Sequence, residues 1–254
     1  MKVLICASAA EVVARAAKTV VAKVRAKPDA VLGLATGATF EPVYEELVTA
    51  QRAGVISFAK ATTFNLDEYV GLPTAHAQSY RSVMRRCLFD HVDIDPARAH
   101  LPDGMASDPD AEADRYDALI AAAGGIDLQL LGIGVNGHIG FNEPSSSLGS
   151  RTRTKDLAPP TIAANSRYFA PDENMPRQSI TMGIATIMEA REVLLVATGA
   201  AKAAALRAAI EGPVSAFCPA SALQFHPRAT ALCDEEAASG LALMDYYRGI
   251  DHGE

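Results

Sequence analysis

Three short, dense apolar runs constrain this chain more than any other feature: AVLGLA at 30–35, IDLQLLG at 126–132 and VLLVA at 193–197. Runs of five to seven residues are too short for buried helices, and an apolar run without alternation is the mark of a strand covered on both faces. Helical spacing lies between them. Val12, Val13, Ala16, Ala17, Val20, Val21 and Val24 form one stripe, and Ser8, three residues before Glu11, supplies a capping-box start. Further helices are expected at 41–52, at 79–89 with Tyr80, Val83, Met84 and Leu88 inward, at 111–123, at 201–210 and at 235–247. Further strands are expected at 2–6, 61–65 and 229–233. Strand and helix alternate, so the fold class is α/β with a parallel sheet. The 254 residues contain no repeat, no low-complexity tract and no linker, so one domain over 1–254 is expected. Only 157–177, which carries Pro159, Pro160, Pro171 and Pro176, lacks periodicity, and it reads as an irregular, lid-like excursion.

Composition narrows the function. A net charge of −7 opposes nucleic-acid binding, which needs a basic face, and obliges an anionic substrate to be met by local cations. No apolar run approaches the roughly 20 residues of a membrane span. The opening MKVLICASAAEVV has too short an apolar core for a signal peptide. Cys6, Cys87, Cys218 and Cys233 are widely spaced with no CxxC, which fits reduced thiols in a cytoplasmic protein and offers no metal-ligand spacing.

Three strand ends carry chemistry. LGLATGATF at 32–40 places Thr36, Gly37, Ala38 and Thr39 between a strand and a helix, where backbone N–H groups suit a phosphate; the alternative is an ordinary turn with Thr39 near the N-cap. TFNLDEYVGL at 63–72 places Asp67 and Glu68 just beyond a buried strand, where an open α/β sheet binds ligands. Asp67 is a candidate base there; the alternative is that Asp67 caps a turn and Glu68 is solvated. GIGVNGHIGFNEP at 132–144 follows its strand with Gly132, Gly134 and Gly137, then His138 and Glu143. Histidine is the side chain that most readily exchanges protons near neutral pH. Asn136 is placed to orient the imidazole through its side-chain oxygen. A structural histidine is the alternative. Cations follow in SRTRTK at 150–155, with Arg153 and Lys155, at Arg167 inside the proposed lid, and at Lys202 near a helix start, where the dipole disfavours a lysine unless an anion binds.

In this order the TG-x-T loop, TFNLDEYVGL, the Ser79-Tyr80 pair, FDHVDI, GxNGHIGFNEP, SRTRTK, NSRYF, TMGIATIM, GAAKAAAL and LQFHP resemble the glucosamine-6-phosphate deaminase family over nearly the whole chain. The resemblance implies a Rossmann-like three-layer α/β/α fold with a mainly parallel central sheet, and a reaction that needs no metal or other cofactor. It implies conversion of glucosamine 6-phosphate and water to fructose 6-phosphate and ammonia. His138 would open the sugar ring, Asp67 would carry a proton from C2 to C1, and Glu143 with Asn136 would tune His138. Thr36, Gly37, Ala38, Thr39, Arg167 and Lys202 match the phosphate site. Ser146, Arg153 and Lys155 resemble an allosteric site for N-acetylglucosamine 6-phosphate between subunits of hexameric members, which favours a homo-oligomer.

Two positions depart from the family pattern. Some members carry aspartate where this chain has Asn136, which cannot hold a negative charge and leaves Glu143 as the main anionic partner of His138. TGATF stands where TGGTP is common, so Pro42 rather than a proline at position 40 is expected to preset the helix start. A 6-phosphogluconolactonase is the nearest rival and would not need the Asp67 carboxylate. A sugar-phosphate sensor is the rival from another class; it would carry a DNA-binding segment, for which no room is expected before the first strand.

Overall fold

The computed structural model describes residues 1–250. In chain order the elements are β1 (Lys2–Cys6), α1 (Ala9–Ala26), β2 (Val31–Leu34), α2 (Glu41–Arg52), β3 (Thr62–Asn65), β4 (Asp67–Tyr69), α3 (Tyr80–Cys87), β5 (Ala99–His100), α4 (Pro109–Ala122), β6 (Leu128–Gly132), β7 (Arg153–Asp156), α5 (Pro159–Ser166), β8 (Gln178–Thr181), α6 (Ile184–Met188), β9 (Val193–Ala197), α7 (Ala203–Ile210), β10 (Ala229–Asp234), α8 (Glu235–Ala238) and α9 (Met244–Ile250). The three apolar runs are β2, β6 and β9, and β2 and β9 are buried at every residue. Strands this apolar persist only where both faces of the sheet are covered, which gives the three layers of helix, sheet and helix.

Seven strands form the central sheet in the order β1-β10-β9-β6-β2-β3-β5. Every pairing in it is parallel. From β2 the chain builds outward through β3 to β5, then returns to the other side of β2 to lay down β6, β9 and β10. The strand order therefore reverses between β2 and β6. At such a reversal the loops leaving adjacent strands part from one another and open a crevice beyond the carboxyl ends.

Local chemistry explains the starts of three helices. Ser8 accepts from the Glu11 N–H to begin α1, while the Glu11 carboxylate takes the Ala7 N–H, one residue before the position that a capping box would use. Pro42 sits in the first turn of α2, where its missing N–H costs nothing, and Phe40 is the N-cap without a side-chain bond. Asp108 accepts from Asp110 and Ala111 N–H groups to start α4.

The structure departs from the sequence reading in three places. The 157–177 stretch is not irregular throughout: Pro159 and Pro160 occupy the first turn of α5, the one part of a helix that tolerates proline. The expected helix at 235–247 is two helices, α8 and α9. Gly240 lies between them, where a methyl group would come within 3.0 Å of the Ala203 carbonyl oxygen, and the Glu211 carboxylate takes the N–H groups of Ala242 and Leu243 instead. A second, antiparallel sheet, β4-β8-β7, was not anticipated. It pins the excursion at both ends: Asp156 pairs with Gln178, and the Leu157 N–H donates to the Arg177 carbonyl at 2.8 Å. Ile162, Phe169 and Met175 of the excursion pack on a small apolar cluster of Tyr69, Leu72, Phe141 and Leu157, separate from the main core. Among the described residues no helix is long and apolar enough to cross a membrane.

Candidate active site

The loops after β9, β6, β2 and β3, four neighbouring strands, carry the candidate residues Lys202, Asn136 to Glu143, Thr36 to Thr39 and Asp67. All lie at carboxyl ends, on both sides of the β2/β6 reversal.

The segment after β6 builds a connected polar group. His138 Nδ1 lies 3.3 Å from Glu143 Oε2, close enough for an ion pair but out of line for a hydrogen bond. Asn136 Nδ2 donates to the same Oε2 at 2.7 Å, and Asn136 Oδ1 accepts from the His138 backbone N–H at 3.3 Å. The expectation that the Asn136 oxygen would hold the imidazole is thus corrected. Asn136 holds Glu143 and the backbone of His138, because its side-chain oxygen is taken by the His138 backbone N–H. Gly134 is where the ring rests: a Cβ there would fall 2.2–2.4 Å from three imidazole atoms, so only glycine lets the ring lie flat on the backbone.

Glu143 is buried, with 6 % of its surface exposed. Burial alone would raise its pKa, but contacts with His138, Thr161 and Asn136 outweigh it and hold the carboxyl down to about 2. Thr161, on α5, donates its hydroxyl to Glu143 Oε1. Sequence reasoning missed this residue because it sits 18 positions downstream in a proline-flanked stretch with no pattern of its own.

Asp67 begins β4, paired with Thr181 of β8. It is 6 % exposed, and its carboxylate accepts no hydrogen bond from any described residue. Burial, with the neighbouring Glu68 charge added, raises its pKa to about 8. Glu68, on the other face of the strand, is the capping residue. Its carboxylate accepts the N–H groups of Tyr69, Tyr80 and Arg81, each at 2.9 Å, and so closes the N-terminus of α3. The alternative in which Asp67 caps and Glu68 is solvated is therefore reversed.

The two chemical segments meet at Gly140. Its φ is 55°, and a Cβ there would lie 2.9 Å from Thr181 Oγ1 and 3.4 Å from Asp67 Oδ2. The backbone two residues beyond His138 thus rests on the Asp67 carboxylate.

Thr36 to Thr39 lead into α2 as a turn exposed at Gly37 and Ala38 and half-buried at the two threonines, with Phe40 N–H donating to the Gly37 carbonyl at 2.9 Å. No described residue accepts from the N–H of Ala38 or Thr39. Asn65 Nδ2 reaches Thr36 Oγ1 at 3.4 Å, tying this loop to the end of β3 two residues before Asp67. Lys202 donates to the Ile133 carbonyl at 2.7 Å, pairs with no carboxylate among the described residues, and has its pKa lowered by burial. The Arg167 guanidinium lies over the Tyr168 ring at 4.8 Å and donates to the Tyr168 hydroxyl. Of the proposed allosteric residues, Arg153 donates to Asn142 Oδ1 at 2.9 Å, the buried Ser146 hydroxyl has no partner among the described residues, and Lys155 lies two residues from Arg153 on the same face of β7.

The family model for glucosamine-6-phosphate isomerases and 6-phosphogluconolactonase matches residues 5–232. The chain belongs to this family. Within the family it is 55 % identical over 251 residues to the glucosamine-6-phosphate deaminase of Shewanella loihica, covering 99 % of this chain and 94 % of that one. It is 54 % identical to that of Cellvibrio japonicus, covering 99 % and 95 %. A solved monomeric glucosamine-6-phosphate deaminase superposes with a TM-score of 0.92 at 45 % identity, covering 94 % of this chain and all of that one. The 6-phosphogluconolactonase of Trypanosoma cruzi superposes with a TM-score of 0.75 at 22 % identity, a likeness of fold alone.

Proposed function

We propose that this chain is a glucosamine-6-phosphate deaminase, an enzyme of amino-sugar metabolism that converts glucosamine 6-phosphate and water to fructose 6-phosphate and ammonia. The observation that carries this reading is the contact at Gly140, which sets a buried, unbonded carboxylate beside a segment bearing an imidazole and its anionic partner. A lactone hydrolase has no use for such a carboxylate. An isomerising deaminase requires one.

In this reading His138 exchanges protons with the ring oxygen and the anomeric hydroxyl, opening the sugar to its aldehyde. Glu143, kept ionised, balances the imidazolium that forms. Asp67, as carboxylate, then takes the proton from C2, giving an enolamine, and returns it to C1, leaving an imine at C2. Water adds at C2 and ammonia departs. The Asp67 side chain accepts no hydrogen bond from a described residue that must break first, and its raised proton affinity matches a group that takes and returns a proton near neutral pH. Each such group contributes on the order of 10²–10⁴ in rate. The phosphate lies on the N–H groups at Ala38 and Thr39, the hydroxyls of Thr36 and Thr39, and Lys202, whose charge no carboxylate of the described residues neutralises. Arg167 joins them only if the 157–177 segment, acting as a lid, moves and releases it from Tyr168.

The test is product analysis. Incubation with glucosamine 6-phosphate releases ammonia and fructose 6-phosphate in equal amounts. Hydrolysis of 6-phosphogluconolactone with no ammonia from the amino sugar overturns the reading in favour of the rival.

A regulatory reading rests on Ser146 and Lys155. Among the described residues, the one has a buried hydroxyl without a partner and the other no ion pair. With Arg153 they would bind N-acetylglucosamine 6-phosphate as an activator in a cytoplasmic homo-oligomer. A saturation curve unaltered by that compound, or a gel-filtration mass of one chain, removes it.

A further inference from the structure

Glu143 has three polar neighbours. Two of them, Asn136 and His138, belong to its own loop. The third, Thr161, comes from α5, within the segment pinned between β7 and β8. Thr161 is itself buried, with 7 % of its surface exposed. The same helix reaches the neighbourhood of the base: Asn165 Nδ2 donates to the Tyr69 hydroxyl at 3.1 Å, and Tyr69 lies two residues from Asp67 on the same face of β4. Ile162 and Phe169 seat the segment on Tyr69 and Phe141, with the Phe169 ring 6.1 Å from that of Tyr69.

A hydroxyl donated to an ionised carboxylate is a charge-assisted bond and favours the charged form. It also fixes rotation: with Oε1 held by Thr161, Oε2 must face Asn136 and His138.

We infer that Thr161 is a positioning residue for the reaction, through which seating of the 157–177 segment fixes the orientation and charge of Glu143. The relay is complete only when this helix is docked over the site. A lifted segment leaves Glu143 with the loop contacts alone, so proton transfer by His138 is favoured once the segment has closed. This rests on the relay reading of Glu143 given above.

The experiment compares Thr161→Val, which keeps the shape and removes the donor, with Thr161→Ser, which keeps it. Three quantities are measured: kcat, KM for glucosamine 6-phosphate, and the ¹³C NMR titration of the Glu143 carboxyl in the full chain. Thr161→Val is expected to lower kcat roughly tenfold, with KM within about twofold, and to move the Glu143 titration up by about one unit. Thr161→Ser is expected to restore both to within about twofold of the wild type. Phe169→Ala, which loosens the seating without touching Glu143, is expected to move the titration in the same direction. An unchanged titration in both Thr161→Val and Phe169→Ala overturns the inference. Should Thr161→Val not fold, the Phe169→Ala titration decides alone. Wild-type activity in Glu143→Gln would instead remove the relay reading, and the titration of Thr161→Val still reports whether the hydroxyl holds the carboxylate.

Discussion

At the scale of single residues, this site is set by what is withheld as much as by what is supplied. Gly134 withholds a methyl group, and the imidazole fills its place. Gly134→Ala should therefore fold and yet displace the His138 ring, lowering kcat by about 10²-fold, as misplacement on the 1 Å scale does; steady-state kinetics beside a thermal melt checks this. Asp67 is buried to 6 % exposure and accepts no hydrogen bond from a described residue. The unfolded chain ionises it near pH 3.9, about its ordinary value, whereas the fold holds its proton to about pH 8. Between those values the native state carries a proton that the unfolded state lacks, so this group costs stability progressively as pH rises from about 4 through 8. Asp67→Asn should flatten that part of the stability profile and leave the variant more stable than wild type above pH 8, as denaturant melts across pH would show. Asn136 donates to Glu143 at 2.7 Å, so Asn136→Asp would set two carboxylates in contact and raise the pKa of the pair. Activity should be retained, and the limb of the pH–rate profile governed by Glu143 should move to higher pH; an unmoved profile speaks against the relay. His138 and Glu143 were legible as candidates from their place after the dense apolar run at 126–132, and Asp67 from its place after the expected strand at 61–65. Thr161 was not, because its role exists only through a contact across 18 residues.

At the scale of elements, the legible ones carried their own signal. The runs that became β2, β6 and β9 are apolar without interruption or nearly so, and the start of α1 announces itself through Ser8 and Glu11. The strands DEY, RTKD and QSIT of the second sheet carry no such signal. Three or four residues of mixed polarity adopt extended structure because partners distant in sequence pair with them, and strand preference is set largely by such context. Prolines misled in the opposite direction at α5, where their position in the first turn makes them helix starters. Glu68 shows how the two kinds of element are joined, a side chain of β4 capping the backbone of α3. Glu68→Ala leaves those N–H groups without their acceptor beneath buried structure and is expected to cost roughly 2–4 kcal/mol. Glu68→Gln, which keeps one oxygen, should cost less. Chemical denaturation of the two variants measures the difference.

At the scale of the whole molecule, topology decides where chemistry can happen. The chain lays β2, β3 and β5 in one direction and β6, β9 and β10 in the other. The loops that diverge at this reversal carry the phosphate-binding candidates Thr36 to Thr39 on one side and the imidazole with its carboxylate partner on the other. The second sheet then brings Asp67 up against the segment after His138 and anchors the excursion that lends Thr161. Alternation of strand and helix made the parallel sheet legible in the sequence, but the order of its strands was not, since neighbours such as β1 and β10 are more than 220 residues apart. The central claim is that one shielded carboxylate carries a hydrogen from C2 of the sugar to C1. The most direct measurement follows deuterium from [2-²H]glucosamine 6-phosphate through single turnovers in ordinary water. Because Asp67 is buried and bonds to no described group that could drain its proton, part of the label should appear at C1 of fructose 6-phosphate. Fructose 6-phosphate formed with no deuterium at C1 would contradict the account.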